Sequence, residues 1–219
     1  MCGRFAIDIQ KDEIITLFNV QKIAREPIPN YNIAPTQDVP VIVEREGVVT
    51  LDAYRWGFIP SWASDKKISS SLINARAETL GQKMSFKNSF HHQRCIIVAS
   101  GFYEWKKTES EKKPYFIHPK KGFFAFAGLW NEWKSIKSCT IITVPANAVV
   151  SEFHERMPAI LEPSQFHVWL NPLTSESALS NGLLSAYPAS QTAVYPVSKA
   201  VNSVKINSPE CIIEERKKL

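Results

Sequence analysis

Residues 94–107 read RCIIVASGFYEWKK, and the fold turns on what this stretch is. A strand with one face in water alternates apolar and polar side chains. This run is apolar at successive positions instead, and it is rich in β-branched and aromatic residues. It reads as a strand covered on both faces. Glu104 is the exception within it, because carboxylates are seldom buried without a partner. Desolvation would raise its pKa toward the range useful for proton transfer, and a buried pair with a lysine or arginine is the competing explanation.

Outward from this run the same pattern repeats. VPVIVERE (39–46) and VVTLDAYRWGF (48–58) flank Gly47 and read as a hairpin, and PYFIHP (114–119), FFAFAGLWNEW (123–133), SCTIITVP (138–145), MPAILEP (157–163) and TAVYPVS (192–198) read as further strands. Helical patterns are fewer: DEIITLFNV (12–20), ETLGQKMSFKNSFHHQR (78–94), NAVVSEFHER (147–156), SQFHVWLN (164–171) and SESALSNGLLSA (175–186). Asp12, Asn147 and Ser164 or Ser175 are the cap candidates. With no internal repeat and no low-complexity linker, the expected fold is one α+β domain over residues 1–219. Its core is mostly antiparallel and barrel-like, with helices around it.

Composition bounds the partners. The 219 residues are 44% hydrophobic and 21% charged, which excludes disordered and fibrous classes. A chain of this length buries about 70% of its unfolded surface and needs neither disulfides nor metal to stand. No stretch approaches about 18 apolar residues, and MCGRFAIDIQ lacks a signal-like apolar run, so a cytoplasmic protein with no membrane partner is expected. The net charge of +5 permits an anionic partner without demanding one. In a reducing compartment the four cysteines are not a disulfide framework. Cys95 and Cys139 lie in apolar runs and read as buried hydrophobes, while Cys211 sits in a tail strand or short helix. His91, His92 and Cys95 have metal-like spacing, but no second cluster completes a site, so no metal and no cofactor are expected. His118 and His167 read as ordinary surface or half-buried residues.

Cys2 differs from the other three. A methionine followed by a small side chain is ordinarily removed, which would leave Cys2 at the amino terminus. Its α-amino group (pKa about 7.7–8.0) and thiol (about 8.5) would then sit on adjacent carbons, both partly nucleophilic at neutral pH. An aldehyde meeting that amine as a Schiff base can be closed by the thiol into a thiazolidine. The plain alternative is an incidental residue in a frayed terminus. Gly3 permits close backbone approach, and Arg4 would hold an anion and favour thiolate.

Six segments, MCGRFA at the start, YNIAPTQ (31–37), RWGFIPSWA (55–63), INARAET (73–79), CIIVASGFYEWKK (95–107) and FHERMPAIL (153–161), with a looser tail through YPVSKAVNS, resemble the SOS-response-associated peptidase family of abasic-site processing proteins. The resemblance implies a barrel-like β core, a positively charged groove for single-stranded DNA, and covalent capture of an abasic site by Cys2. It also implies that Asn74 orients the amino terminus, that Glu104 shuttles protons and that His154 assists sugar ring opening. Arg4, Asn32, Arg76 and Thr143 would contact DNA, and Pro35 and Trp105 would form an apolar wedge beside the lesion.

The residues admit plainer readings too. On an extended segment Asn74 and Arg76 project from one face, yet Asn74 could serve an Asx turn and Arg76 a surface pair with Glu78. His154 lies where a helix should break before a strand, and could be a helix C-cap. Trp56, Trp62, Trp130, Trp133 and Trp169 should mostly be packed. The expected protein is a monomer whose covalent product shields the lesion, with strand scission as a side activity of the Schiff base and with Glu104 and His154 running the reversal. A rival activity is an N-terminal cysteine peptidase or amidase that removes its own Met1. A third is noncovalent DNA binding alone. The tail from Glu162 to Leu219 should serve packing.

Overall fold

The computed structural model describes residues 2–107, 109, 111–175, 178–179 and 182–215. Its strands, in chain order, are β1 (Phe5–Ile7), β2 (Lys22–Ile23), β3 (Asn30–Ile33), β4 (Asp38–Arg45), β5 (Val48–Trp56), β6 (Asn74–Arg76) and β7 (Arg94–Ala99). They continue as β8 (Gly101–Lys107), β9 (Lys112–Pro119), β10 (Phe124–Trp133), β11 (Ile136–Pro145), β12 (Arg156–Pro158) and β13 (Thr192–Pro196). One sheet runs β13-β9-β8-β1-β3 and the other β12-β11-β10-β7-β4-β5-β2, with β6 added on β11.

The deciding stretch is two strands rather than one. β7 is buried along its whole length, as a continuous apolar run requires, and pairs with β10 and β4 in the larger sheet. At Ser100 the chain crosses to the smaller sheet, where β8 pairs with β1 and β9. Ser100 holds the corner: its N–H donates to Ala6 O at 2.8 Å, and its Oγ accepts from Asp8 N–H at 2.7 Å. Gly101 makes the crossing sterically possible, because a Cβ there would lie 2.5 Å from Phe116 Cζ and 2.6 Å from Ile117 O. Apolar character does not change at this corner, which is why the sequence pattern merges the two strands.

The fold is α+β and mostly antiparallel, as expected. The larger sheet curls until β11 meets β5 in parallel over Ser138–Arg55 and Cys139–Trp56. The core is therefore barrel-like without being a strictly closed barrel, its ends meeting only along this short seam. Phe5 of β1 reaches into the interior against Trp56 (ring centroids 5.0 Å apart) and Phe126 (5.9 Å), so the first strand is fixed by the core common to both sheets. Burying such an aromatic is worth roughly 2–3 kcal/mol, which holds down a segment that would otherwise fray.

The helices are shorter than the patterns suggest. α1 (Lys11–Phe18) buries Ile14 and Phe18, four residues apart on one face, and ends at Asn19 in the left-handed region. Asp12 lies inside its first turn rather than at its cap. The run 78–94 yields a 3-10 turn at Ala77–Thr79 and α2 (Lys87–His92). NAVVSEFHER forms only a 3-10 turn, Val150–Glu152, though Asn147 Oδ1 does cap it by accepting from Val149 and Val150 N–H. Before α3 (Phe166–Leu170) the capping box is built by Glu162 and Gln165, not by Ser164. The 175–186 pattern lies partly outside the described residues. Cys2, Cys95, Cys139 and Cys211 are all unpaired and buried. No group of three or more potential metal ligands occurs among the described residues.

Candidate active site at the amino-terminal strand

β1 delivers the amino-terminal residues to β8. The register pairs Phe5 with Phe102 and Ala6 with Gly101, and Tyr103 N–H donates to Arg4 O at 2.9 Å. Continued two residues beyond the Phe5–Phe102 pair, this register sets Gly3 opposite Glu104. Cys2 is fully buried and therefore not a frayed end. Its carbonyl accepts from Asn74 Nδ2 at 2.8 Å, which places Asn74 as the anchor of the terminus rather than in an Asx turn. β6 brings Asn74 there by pairing with β11 in parallel, Asn74 beside Ile141 and Arg76 beside Thr143. Ala75 faces inward between them, and Arg76 is exposed on the same side as Asn74.

Glu104 is 7% exposed. Burial pushes its carboxyl up to about 7, partly offset by the positive charges of the amino end of the chain and of Lys112. At neutral pH it is poised between acid and base. The Cys2 thiol is also pushed up, by burial first and by the Glu104 charge second. Desolvation and the nearby carboxylate oppose the thiolate and outweigh the amino-end charge and the Arg4 backbone contact, which favour it. The thiol is directed at Arg4 O, 3.9 Å away.

His154 follows the 3-10 turn and precedes β12. Phe153 packs on Tyr115 at 4.8 Å between ring centroids, and Tyr115 is the cross-strand partner of Glu104. These contacts set the segment before His154 against β9, beside the strand that carries Glu104. His154 Nδ1 accepts from Arg156 N–H at 3.0 Å, so the neutral ring carries its proton on Nε2. Burial, then the charge at the amino end, lowers its pKa below the ordinary value, which keeps it neutral at pH 7. It is not a helix C-cap.

The remaining residues divide. Arg4 Nη1 donates to Asn32 Oδ1 (2.6 Å) and Val201 O (2.8 Å), and its guanidinium lies 5.9 Å from the Trp105 ring. Pro35 and Trp105 are half-buried, with surface available to a ligand. Asn32 departs from its expected role as a DNA contact: it is 1% exposed, and its amide donates to Val201, Ser203 and Ile206 carbonyls. It positions Arg4. Thr143 departs as well. It is wholly buried, with its hydroxyl donating to Ala75 O at 3.4 Å, so no exposed atom could hold a phosphate.

Arg156, not singled out from sequence, takes the carboxylate that Arg76 was expected to pair with. It forms a two-pronged pair with Glu78 (2.6 and 3.0 Å) and donates to Thr143 O from buried surroundings. Glu78 is thereby engaged, and among the described residues no ion pair involves Arg76. The signal available was the basic residue in FHERMP, but the pairing spans 78 positions and no spacing rule reaches that far.

Fold and site together define a protein in which a two-sheet α+β scaffold tethers an amino-terminal cysteine beside a buried carboxyl group. The chain belongs to the SOS response associated peptidase (SRAP) family, whose model matches residues 1–204. It is 42% identical to the abasic site processing protein YoqW of Bacillus subtilis, an alignment covering 97% of this chain and 99% of the relative. It is 34% identical to the abasic site processing protein YedK of Escherichia coli, over 97% of this chain and 99% of that one. The abasic site processing protein HMCES of Xenopus tropicalis is 29% identical, over 97% of this chain and 78% of its own length. A crystal structure of a Bacteroides thetaiotaomicron protein superposes with a TM-score of 0.87 at 22% identity, covering 98% of this chain and all of that one, which shows the shared fold.

Proposed function

We propose that this protein processes abasic sites in DNA by capturing the open-chain deoxyribose aldehyde on Cys2, in single-stranded DNA, as a thiazolidine. The observation that carries this reading is the tethering of Cys2 by Asn74 beside a buried Glu104 poised near neutrality. The relatives named abasic site processing proteins support the substrate.

The chemistry requires removal of Met1, which frees the Cys2 amine. The amine adds to the aldehyde carbon, giving a carbinolamine. Glu104, as the acid, protonates the departing hydroxyl, and water leaves to give the iminium. The thiol then transfers its proton to the Glu104 carboxylate as sulfur bonds to the same carbon, and the π electrons of the C=N bond return to nitrogen. The net change is aldehyde plus aminothiol to thiazolidine plus one water. Because thiol and amine sit on adjacent carbons held by Asn74, the second bond forms intramolecularly. Neutral His154, with its Nε2–H, assists opening of the sugar ring, and reversal runs the same proton steps backward. The iminium acidifies the neighbouring carbon, so strand scission on the 3′ side is a side reaction. Arg4 and Arg76 hold flanking phosphates, while Pro35 and Trp105 offer surface on which neighbouring bases stack.

Intact-mass spectrometry after incubation with single-stranded DNA tests this. A natural abasic site should give a covalent adduct that is lost in Cys2→Ala and absent with a tetrahydrofuran analogue, which has no aldehyde. No adduct with the natural site would sink the reading. The peptidase alternative fits less well, because an amide-attacking cysteine needs an available thiolate and this thiol is pushed up. Removal of Met1 is the one hydrolysis the capture mechanism needs.

A further inference from the structure

Residues 199–207 close over the amino-terminal strand, and their hydrogen bonds end on proposed DNA-holding groups rather than on the core alone. Asn202 Oδ1 accepts from the Trp105 indole N–H at 2.7 Å. The preceding carbonyl, of buried Val201, accepts from Arg4 Nη1 at 2.8 Å and from Asn32 Nδ2 at 3.2 Å. Asn32 then accepts from the same Arg4 nitrogen at 2.6 Å. Val201 itself packs with Ala6, Tyr103, Phe116, Val197 and Cys211, so the turn rests on the strand that carries Glu104. Ser198 starts the turn by accepting from Ala200 N–H at 3.2 Å.

We propose that Asn202 is a positioning residue for DNA capture: it fixes the rotation of the Trp105 ring, and its turn fixes Arg4 beside that ring. The inference rests on the single-stranded DNA reading of the site. Trp105 is half-buried and its indole N–H needs an acceptor. Without Asn202 the ring can turn to find water, and the flat surface offered to a base is no longer prepared before binding. Arg4 has one terminal nitrogen engaged by two acceptors, which leaves the other terminal nitrogen as the group to meet a phosphate. The Asn202 side chain is exposed and packs in neither apolar cluster, so its loss should act on the ring and not on folding.

A double-mutant cycle tests this. The variants are Asn202→Ala, Trp105→Phe, which keeps a ring but removes the N–H, and the two combined. Each is measured for noncovalent affinity to a single-stranded tetrahydrofuran oligonucleotide and for capture rate against concentration of the natural abasic oligonucleotide. Asn202→Ala should weaken affinity about fivefold, the scale of one hydrogen bond, in the half-saturating concentration more than in the rate at saturation. In the Trp105→Phe background the same change should have no further effect. Independent, multiplying effects overturn the proposal, as does an unchanged affinity in Asn202→Ala. If the parent protein captures no abasic DNA, the functional reading itself fails, which separates the two outcomes.

Discussion

At the scale of single residues, Glu104 carries the most specific consequence. Its carboxyl is raised in the folded state, so between about 4.5 and about 7 the folded protein holds a proton that the unfolded chain has released. Stability from this group is therefore full below its unfolded pKa and is lost as pH rises through about 7. Glu104→Gln should remove that loss, so that urea unfolding at pH 8 shows the variant gaining roughly 1–3 kcal/mol relative to its standing at pH 5. Capture should move the opposite way. The parent rate should bend near pH 7, whereas Glu104→Gln should be slower by about 10²-fold or more and lack that bend, read by quenched gel assays across pH. A parent profile that is flat between pH 5 and 8 would contradict the proton-shuttle role. The sequence made Glu104 conspicuous, since a carboxylate in an apolar run needs an explanation. It did not show that the thiol would be pushed up, because that depends on a neighbour 102 positions away in the chain and on full burial of the second residue.

The elements set which side chains meet. At the β7–β8 corner Gly101 has no space for a Cβ, so Gly101→Ala should cost about 2–4 kcal/mol in thermal unfolding and lower capture with it. On β12, Arg156 engages both carboxylate oxygens of Glu78, the residue two places beyond Arg76. Arg156→Met should destabilise by about 1–3 kcal/mol, less than a fully buried pair because Glu78 is about half exposed. It should also weaken DNA binding, because Glu78 becomes free to neutralise Arg76. A gel shift with undamaged single strand would show this, and unchanged affinity would exclude the proposed competition. Most strands were legible from their apolar runs, and the hairpin around Gly47 from its turn residue. The helices were less legible. In NAVVSEFHER and in 78–94 the apolar spacing fits a helix, but the chain forms only short 3-10 turns and the six-residue α2 there.

For the whole molecule, the surplus of +5 matters only through placement. If Arg4 and Arg76 each neutralise one phosphate, log affinity for single strands should fall against log salt with a slope near −0.7 per contact, and Arg76→Ala should reduce it by about that amount. A slope unchanged in that variant would move the DNA track elsewhere. Both sheets contribute to the site: β1 and β8 from one, and β6, reached through β11, from the other. The curl that lets β11 meet β5 also draws β6 toward Cys2.

The sequence by itself determined the α+β class, the strand runs and the two-residue spacing of Asn74 and Arg76, and it singled out Cys2, Glu104 and His154 as candidates. Each of these is local, a matter of periodicity or of a polar group in an apolar run. The tertiary structure alone decided that Asn32 and Thr143 are buried, that Arg156 pairs with Glu78, and that the turn at 199–207 closes on Trp105 and Arg4. Those facts arise from contacts between residues scores of positions apart. Their energies depend on desolvation and on hydrogen-bond geometry, which exist only once the chain has folded.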